Sequence, residues 1–588
     1  MSDAQIRPLD RFPWRVPVAL LQGAILWWLY RSIELGVWPA TDRGWLIGLI
    51  AAAILVPIAH YLTSDITGDR RRFWVLPPFA LALFGFGWHH GAWTVNDPNF
   101  DSFAFALALV VLVFHALPFV QVWLANRRLR PQYEELFHYA WRNTLLIAFS
   151  AVFCGVFWLL LWLWGALFRM LGVTFFIDLF TEAYFALPAT TVAAGIGMQL
   201  AGSVERLQNV LRNQLLTMLK WLAPLAILIL AMFTLTLLVK SPELLLEQRQ
   251  VISAAWLLWL VALTVALLNA AYQDGRTEAP YPPWLGKAIR LIVPFLLPVS
   301  VLAAYALGVR VDSYGLTVAR SWGILVAGIA LAYAAGYTWA ALRRGSWMGG
   351  MGVVNVGVAL ATVLLLTLML TPVLSPERLA AASQFARVLE KPNADSYRYL
   401  RFDSGEYGGM RLRRLAELRD HPDAEAIRAA AKLELEKKSP WYPRASRAEL
   451  TMSDFEVFPV GQVLDPGVLS ALNAAQRDAF RHYCEPAERC PVLFADLNRD
   501  GEPEALVFSN YGTVAIRMQG GEWTVTERMQ HLGASAPFNG RRTIREELAR
   551  GNYVVRDLGW QVLEIRGELY VFDDSEEQPQ TKVAPASD

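Results

Sequence analysis

The stretch MGVVNVGVALATVLLLTLMLTPVLSPERL, residues 351–379, decides how the chain is organised. Its first part, up to Leu370, carries no charged residue. A helix needs about 20 mostly apolar residues to cross about 30 Å of hydrocarbon, and this run is long enough. Beyond Pro372 charged residues become frequent, and no later stretch is long and apolar enough to cross. The chain therefore divides near Pro372 into a membrane part and a polar part.

Working back from that point, we read eleven spans. They are 16–36, 44–62, 73–92, 103–125, 143–168, 183–201, 219–239, 251–272, 288–308, 318–341 and 350–372. The sixth is the weakest, because it holds Pro188 and follows a short amphipathic stretch, Phe175 to Phe180. Composition agrees. Of 588 residues 55% are hydrophobic and only 18% charged, against about 25% in soluble domains. That balance excludes a disordered chain, a fibrous protein and an ordinary soluble enzyme. A net charge of +1 provides no field to attract nucleic acid.

Loop charges orient the spans. With the N-terminus inside, the inner segments hold eighteen Lys and Arg, from Arg7 to Arg344, and the outer segments hold seven, from Arg31 to Arg320. Cations resist translocation, so residues 1–15 are expected in the cytoplasm. Eleven spans then place everything after Pro372 outside. The expected fold is a polytopic α-helical membrane protein, residues 16–372, with a C-terminal extracytoplasmic α+β domain. We divide that domain into a mainly helical segment, 373–490, a small β-domain, 491–574, and a polar tail, 575–588. The strands are read at VLFAD, EALVFS, TVAIRM, EWTVTE, GWQVLEI and ELYVF, and Gly520-Gly521 suits a hairpin turn. The basic amphipathic stretch Glu205 to Lys220 is expected along the inner membrane surface.

Three further stretches look like one known family. They are YGLTVARSWGILVAGIALAYAAGYTWAALRR (Tyr314 to Arg344), NVGVALATVLLL just after it, and YRYLRFDSGEYG (Tyr397 to Gly408). They resemble the multi-pass membrane family catalogued as domain of unknown function 4153. The resemblance implies a bacterial inner-membrane protein of many helices. It brings no activity and no functional residues.

The sharpest motif is DLNRDGEPE, residues 496–504. Asp496, Asn498, Asp500 and Glu504 alternate oxygen-bearing side chains around Gly501, as a calcium loop does, because calcium takes 6–8 oxygens. Strands flank it, and Glu504 stands where single calcium loops between strands end in Asp. The competing reading is a plain Asp/Asn/Gly turn. Cys484 and Cys490 bracket CEPAERC; outside the cytoplasm such a pair forms a disulfide. Two free thiols or metal ligands are the alternative, and His482 does not complete a metal site. Cys154 lies inside the fifth span as a packing residue.

Polar residues in the spans are few. His89, His90, Asp178 and Glu182 lie near outer ends and would together bind a divalent metal or relay protons. Side chains reaching to interfacial water are the competing account. His115 lies mid-span and reads as a hydrogen bond to a neighbouring span. Pro294 and Pro298 in one span suggest a break. Gly349 to Gly357 would let helices pack closely, with Asn355 as a bridge. No HExxH, GxSxG, phosphate-loop or dinucleotide motif occurs. Three functions remain open. The first is an envelope scaffold or sensor whose external domain binds a partner protein or small ligand. The others are a small-solute permease and an enzyme acting on a lipid-linked substrate.

Overall fold

The computed structural model describes residues 12–64, 72–93, 102–128, 130–239, 253–276, 279–437, 451–459, 461–475, 489–497, 501–509, 512–519, 521–532, 545, 547–557, 561–565 and 568–572. Contacts divide the chain into two compact units, Met1–Lys437 and Lys438–Asp588.

The first unit is helical. Its elements are α1 (Phe12–Leu35), α2 (Arg43–Ser64), α3 (Arg72–Trp93), α4 (Phe103–Asn126), α5 (Tyr133–Met170), α6 (Phe175–Thr181), α7 (Ala183–Ser203), α8 (Glu205–Val239) and α9 (Ala254–Tyr272). Then come α10 (Pro283–Ile292), a 3-10 turn (Val293–Phe295), α11 (Leu296–Tyr314), α12 (Val318–Leu342) and α13 (Met351–Met369). Four more helices follow the last apolar one: α14 (Pro376–Glu390), α15 (Ala394–Phe402), α16 (Gly405–Ala416) and α17 (Ala424–Glu436).

Among the described residues ten helices are long and apolar enough to cross a membrane, with α10 to α11 counted as one. The sixth expected span, α7, is among them. The one that falls short is the third, α3, whose Pro77, Pro78, His89 and His90 dilute its apolar run. Its packing is nonetheless close. Gly44 and Gly48 on α2 face Gly87 and Gly91 on α3. A methyl group on Gly91 would stand 2.3 Å from the Arg43 carbonyl oxygen, and one on Gly87 would stand 2.7 Å from the Gly48 Cα. Two small-x-x-x-small faces thus bring the backbones together, as in membrane helix pairs.

One expectation on helix shape changes and one holds. Residues 205–220 do not form a separate surface helix: α8 runs unbroken into the apolar segment, because Leu, Arg, Gln, Met and Lys there all favour helix and no breaker precedes Pro224. The expected break at Pro294 appears as the 3-10 turn.

The helices after Pro372 belong with the spans rather than with the sheet. Ser375 caps α14 through Arg378 N, and Pro376 fills the first helical position, where its missing N–H costs nothing. Ala381, Val388, Tyr397, Leu400, Leu412, Leu415, Ile427 and Ala431 form the core of α14–α17.

The second unit is one sheet of eight strands: β1 (Phe455–Phe458), β2 (Cys490–Ala495), β3 (Glu504–Ser509), β4 (Gly512–Gln519), β5 (Glu522–Leu532), β6 (Tyr553–Asp557), β7 (Gln561–Ile565) and β8 (Glu568–Phe572). The order is β1-β2-β3-β4-β5-β8-β7-β6. β1 pairs parallel with β2 and the remaining pairs are antiparallel. Successive side chains alternate between faces. Ala505 and Val507 join a core with Val468 and Leu472 of α18 (Pro466–Ala475). Leu506 and Phe508 join another with Phe458 and Leu493. The Gly521 turn is in place, with Gln519 opposite Glu522. β1 and β6 are strands that the sequence pattern did not single out.

Candidate functional site

The residues that meet at one end of the spans come from far apart in the chain. A helix end leaves its last carbonyls and first N–H groups without helical partners. At this end α14 and α15 supply them. Gln384 Nε2 donates to the carbonyls of Tyr314 (3.2 Å) and Leu316 (3.0 Å). Arg387 donates to those of Asp312 (3.0 Å) and Ser313 (2.8 Å). The Tyr399 hydroxyl accepts from Val318 N at 2.7 Å, and Ser383 Oγ accepts from Leu316 N at 2.9 Å. The four helices therefore form a collar clamped to the α11–α12 turn.

His89 extends the clamp to α3 and α13. Its Nδ1 lies 3.1 Å from the Leu370 carbonyl and its Nε2 lies 3.0 Å from the Tyr407 hydroxyl. A carbonyl only accepts, so Nδ1 carries the proton, and in the neutral ring Nε2 accepts from Tyr407. Trp93 stacks on the Tyr407 ring at 5.3 Å. Gly405, at φ +62°, is followed by Gly408, where a methyl group would strike Ser404 Oγ at 2.1 Å and the Leu400 carbonyl oxygen at 2.2 Å. The α15–α16 corner that presents Tyr407 therefore requires glycine.

Glu377 is buried at the start of the collar and accepts from Ser375 Oγ at 2.6 Å. Burial raises its pKa above the usual carboxyl value, and the Ser375 bond opposes that. Burial likewise raises Tyr407, helped by Glu377 and opposed by Arg378. A carboxyl raised in the folded state binds more protons folded than unfolded. Its contribution to stability is full below the ordinary carboxyl range and is lost as pH rises through the folded value. The collar is accordingly expected to loosen as pH rises above the ordinary carboxyl range. Glu377→Gln should flatten that slope in melting curves, and an unchanged slope would assign the effect elsewhere. Tyr407→Phe removes one hydrogen bond, worth about 1 kcal/mol, and should raise hydrogen exchange in α16 while leaving α12 protected.

The other singled-out residues are dispersed. His90 stacks face to face on Phe105 at 4.0 Å, with Nε2 3.4 Å from Ser102 Oγ. His115 bonds the Val111 carbonyl of its own helix at 2.8 Å, in place of the expected neighbouring span. Asp178 and Glu182 are exposed and do not share a helix face. α6 ends at Thr181, and Glu182 is extended because it serves as the N-cap of α7. Among the described residues no three His, Cys, Asp or Glu side chains stand together as a metal site. Asn498 and Asp500 lie outside the described residues. Asp496 accepts from Gly501 N at 3.1 Å, and the buried Glu504 accepts from Leu497 N at 2.7 Å. Cys490 is disulfide-bonded and Cys154 is a free thiol; Cys484 lies outside the described residues.

Buried polar contacts inside the bundle are made by neutral side chains. The Tyr337 hydroxyl bonds Asn269 Oδ1 (2.8 Å) and Asn355 Oδ1 (2.7 Å), and Asn355 Nδ2 donates to Asn269 Oδ1 at 2.7 Å. Asn355 is thus the bridge its position suggested. Gln121 and Asn143 exchange two bonds at 2.9 and 2.8 Å, and Gln121 also donates to the Leu62 carbonyl. Asn143, Asn269, Tyr337, Glu377 and Tyr407 had not been singled out.

A family model described as "Domain of unknown function (DUF4153)" matches residues 29–407. The chain belongs to this family. No curated protein and no solved structure matches it. The DUF4153 match starts within α1 and ends on Tyr407 itself, so it takes in the end of α1, the helices from α2 to α15 and the start of α16. His89, Glu377, Tyr399 and Tyr407 lie within it, and the sheet unit lies beyond it.

Proposed function

We propose that this protein is an eleven-span scaffold or sensor of a bacterial inner membrane, with its N-terminus cytoplasmic and its collar and sheet unit outside. One observation carries the reading: side chains of the collar bond the backbone ends of α11 and α12 and, through Tyr407, the His89 ring of α3, which bonds the end of α13. A partner protein or small ligand held outside would act on the spans through these bonds. The eleventh span is supported by packing. Gly91 near the end of α3 meets Arg43 at the start of α2, so the two helices run side by side and cross together. The disulfide at Cys490 suits an oxidising exterior, and we assign Cys484 as its partner. We assign calcium to Asp496, Asn498, Asp500 and Glu504 as a structural staple on the sheet.

A permease is the second reading, favoured by the 3-10 break at Val293–Phe295 and by Ser300 just beyond it, which is fully buried with no hydrogen-bond partner among the described residues.

The deciding experiment uses the full chain in liposomes. A scaffold or sensor leaves entrapped ions and small solutes in place, and its α14–α17 exchange slows when an envelope extract is added. Specific solute flux with unchanged exchange would put the permease first. In detergent, calcium should raise the melting temperature of the wild type and not of Asp496→Asn; equal responses would remove the calcium assignment.

A further inference from the structure

At the end of α12 away from the collar, three chain segments converge. The Tyr281 hydroxyl donates to the Lys220 carbonyl of α8 at 2.7 Å. Trp347 Nε1 donates to the Gly286 carbonyl of α10 at 3.4 Å. The Arg290 guanidinium donates to the carbonyls of Ala341 and Arg343, closing the C-terminal end of α12. These bonds gather five cations: Lys220, Lys287, Arg290, Arg343 and Arg344. Among the described residues no carboxylate forms an ion pair with any of them. α10, α12 and the 343–350 turn contain no Asp or Glu.

Aromatic rings fix where this cluster sits. Lys220 Nζ lies 5.5 Å from the centre of the Trp221 ring, and the Arg343 guanidinium lies 5.2 Å from that of Trp339. Both tryptophans are exposed on helices whose surroundings are apolar. Tryptophan in that setting marks the headgroup level of a bilayer. The tendency of cations to stay on the inner side accounts for their sign. It does not account for three chain segments bonded to one another whose five cations, among the described residues, have no ion-paired carboxylate. Like charges held this way repel unless an anion stands among them.

We propose that the Lys220 turn of α8, the start of α10 and the C-terminal end of α12 form a binding site for the phosphate headgroup of an acidic phospholipid. The exposed Lys287, Arg343 and Arg344 meet the phosphate. Arg290 holds the segment that carries Arg343, and the tryptophans lie against the glycerol and upper acyl region. Basic recesses between membrane helices recognise lipid headgroups by this chemistry.

The test uses the full chain purified in a neutral detergent. Phosphatidylglycerol, phosphatidylcholine and inorganic phosphate are titrated in parallel against wild type and a Lys287→Gln, Arg343→Gln, Arg344→Gln triple variant. Arg290 stays in place because it closes α12. Each surface cation contributes about fivefold in affinity, so the triple variant should bind phosphatidylglycerol about a hundredfold more weakly. Native mass spectrometry counts retained lipid directly, so a less stable variant still reports. Selective retention of phosphatidylglycerol by wild type alone supports the site. Equal retention by the variant, or equal retention of phosphatidylcholine, overturns it. An equal thermal shift from inorganic phosphate alone reassigns the cluster to a soluble anion and overturns the lipid.

Discussion

Gly91→Leu should abolish accumulation of the folded protein, and Gly91→Ala should lower its melting temperature measurably. The obstruction is backbone: the added Cβ would lie 2.3 Å from the Arg43 carbonyl oxygen and 2.7 Å from its carbon. A flexible side chain could swing aside, whereas a helix backbone must move as a body. Overpacking a fitted core costs about 1–3 kcal/mol, and a forced separation of two helices lies at or above the top of that range. Gly87→Leu should behave alike, since its Cβ would meet Gly48 Cα and the Ile47 carbonyl oxygen. Gly85 on the same helix is the control, because nothing lies within 4 Å of its Cβ position. Gly85→Ala should leave the melting temperature unchanged or slightly raised. If Gly85→Ala and Gly91→Ala melt alike, the close α2–α3 seam is wrong, and the eleventh span loses its support.

The second large effect is at Tyr337, which is fully buried where α9, α12 and α13 meet. Tyr337→Ala removes a ring from a closed core and should cost about 3–5 kcal/mol. Tyr337→Phe removes only the hydroxyl. Asn269 and Asn355 still bond each other at 2.7 Å, so the cost should be near the average for a hydrogen bond between membrane helices, about 0.6 kcal/mol. Unfolding in mixed micelles separates the two. A Phe variant as unstable as the Ala variant would show that the polar network, and not the packed ring, holds these helices.

The spans were legible because crossing a bilayer demands length and apolarity, and both are written locally. All eleven apolar stretches are helices. The third was the less apolar one, and the sign that rescues it was also local: Gly44-x-x-x-Gly48 and Gly87-x-x-x-Gly91 are plain in the sequence. The site was less legible. His89 stood out as a histidine near a span end, but its partners Leu370 and Tyr407 are 281 and 318 residues away. No spacing rule connects them. Glu377 looked like an ordinary residue at the start of a polar helix, and only the folded collar buries it. Asp178 and Glu182 show the opposite error. Four residues apart, they would share a face on one continuous helix, but α6 ends at Thr181 and the extended Glu182 starts α7.

The clamp between collar and spans also bears on how the protein is made. Residues 376–416 bond groups at 89 and 312–318, which are made well before them, and His89 in turn bonds the Leu370 carbonyl. Among the described residues eight helices long and apolar enough to cross a membrane separate His89 from Leu370, so those groups come together only once these helices are in place. A chain with one skipped or inverted crossing would carry His89 and Leu370 to opposite faces, and the collar would find half its partners missing. Closure of the collar is therefore expected late in assembly, and a misthreaded copy should show residues 376–437 as more protease-sensitive than the correctly threaded protein.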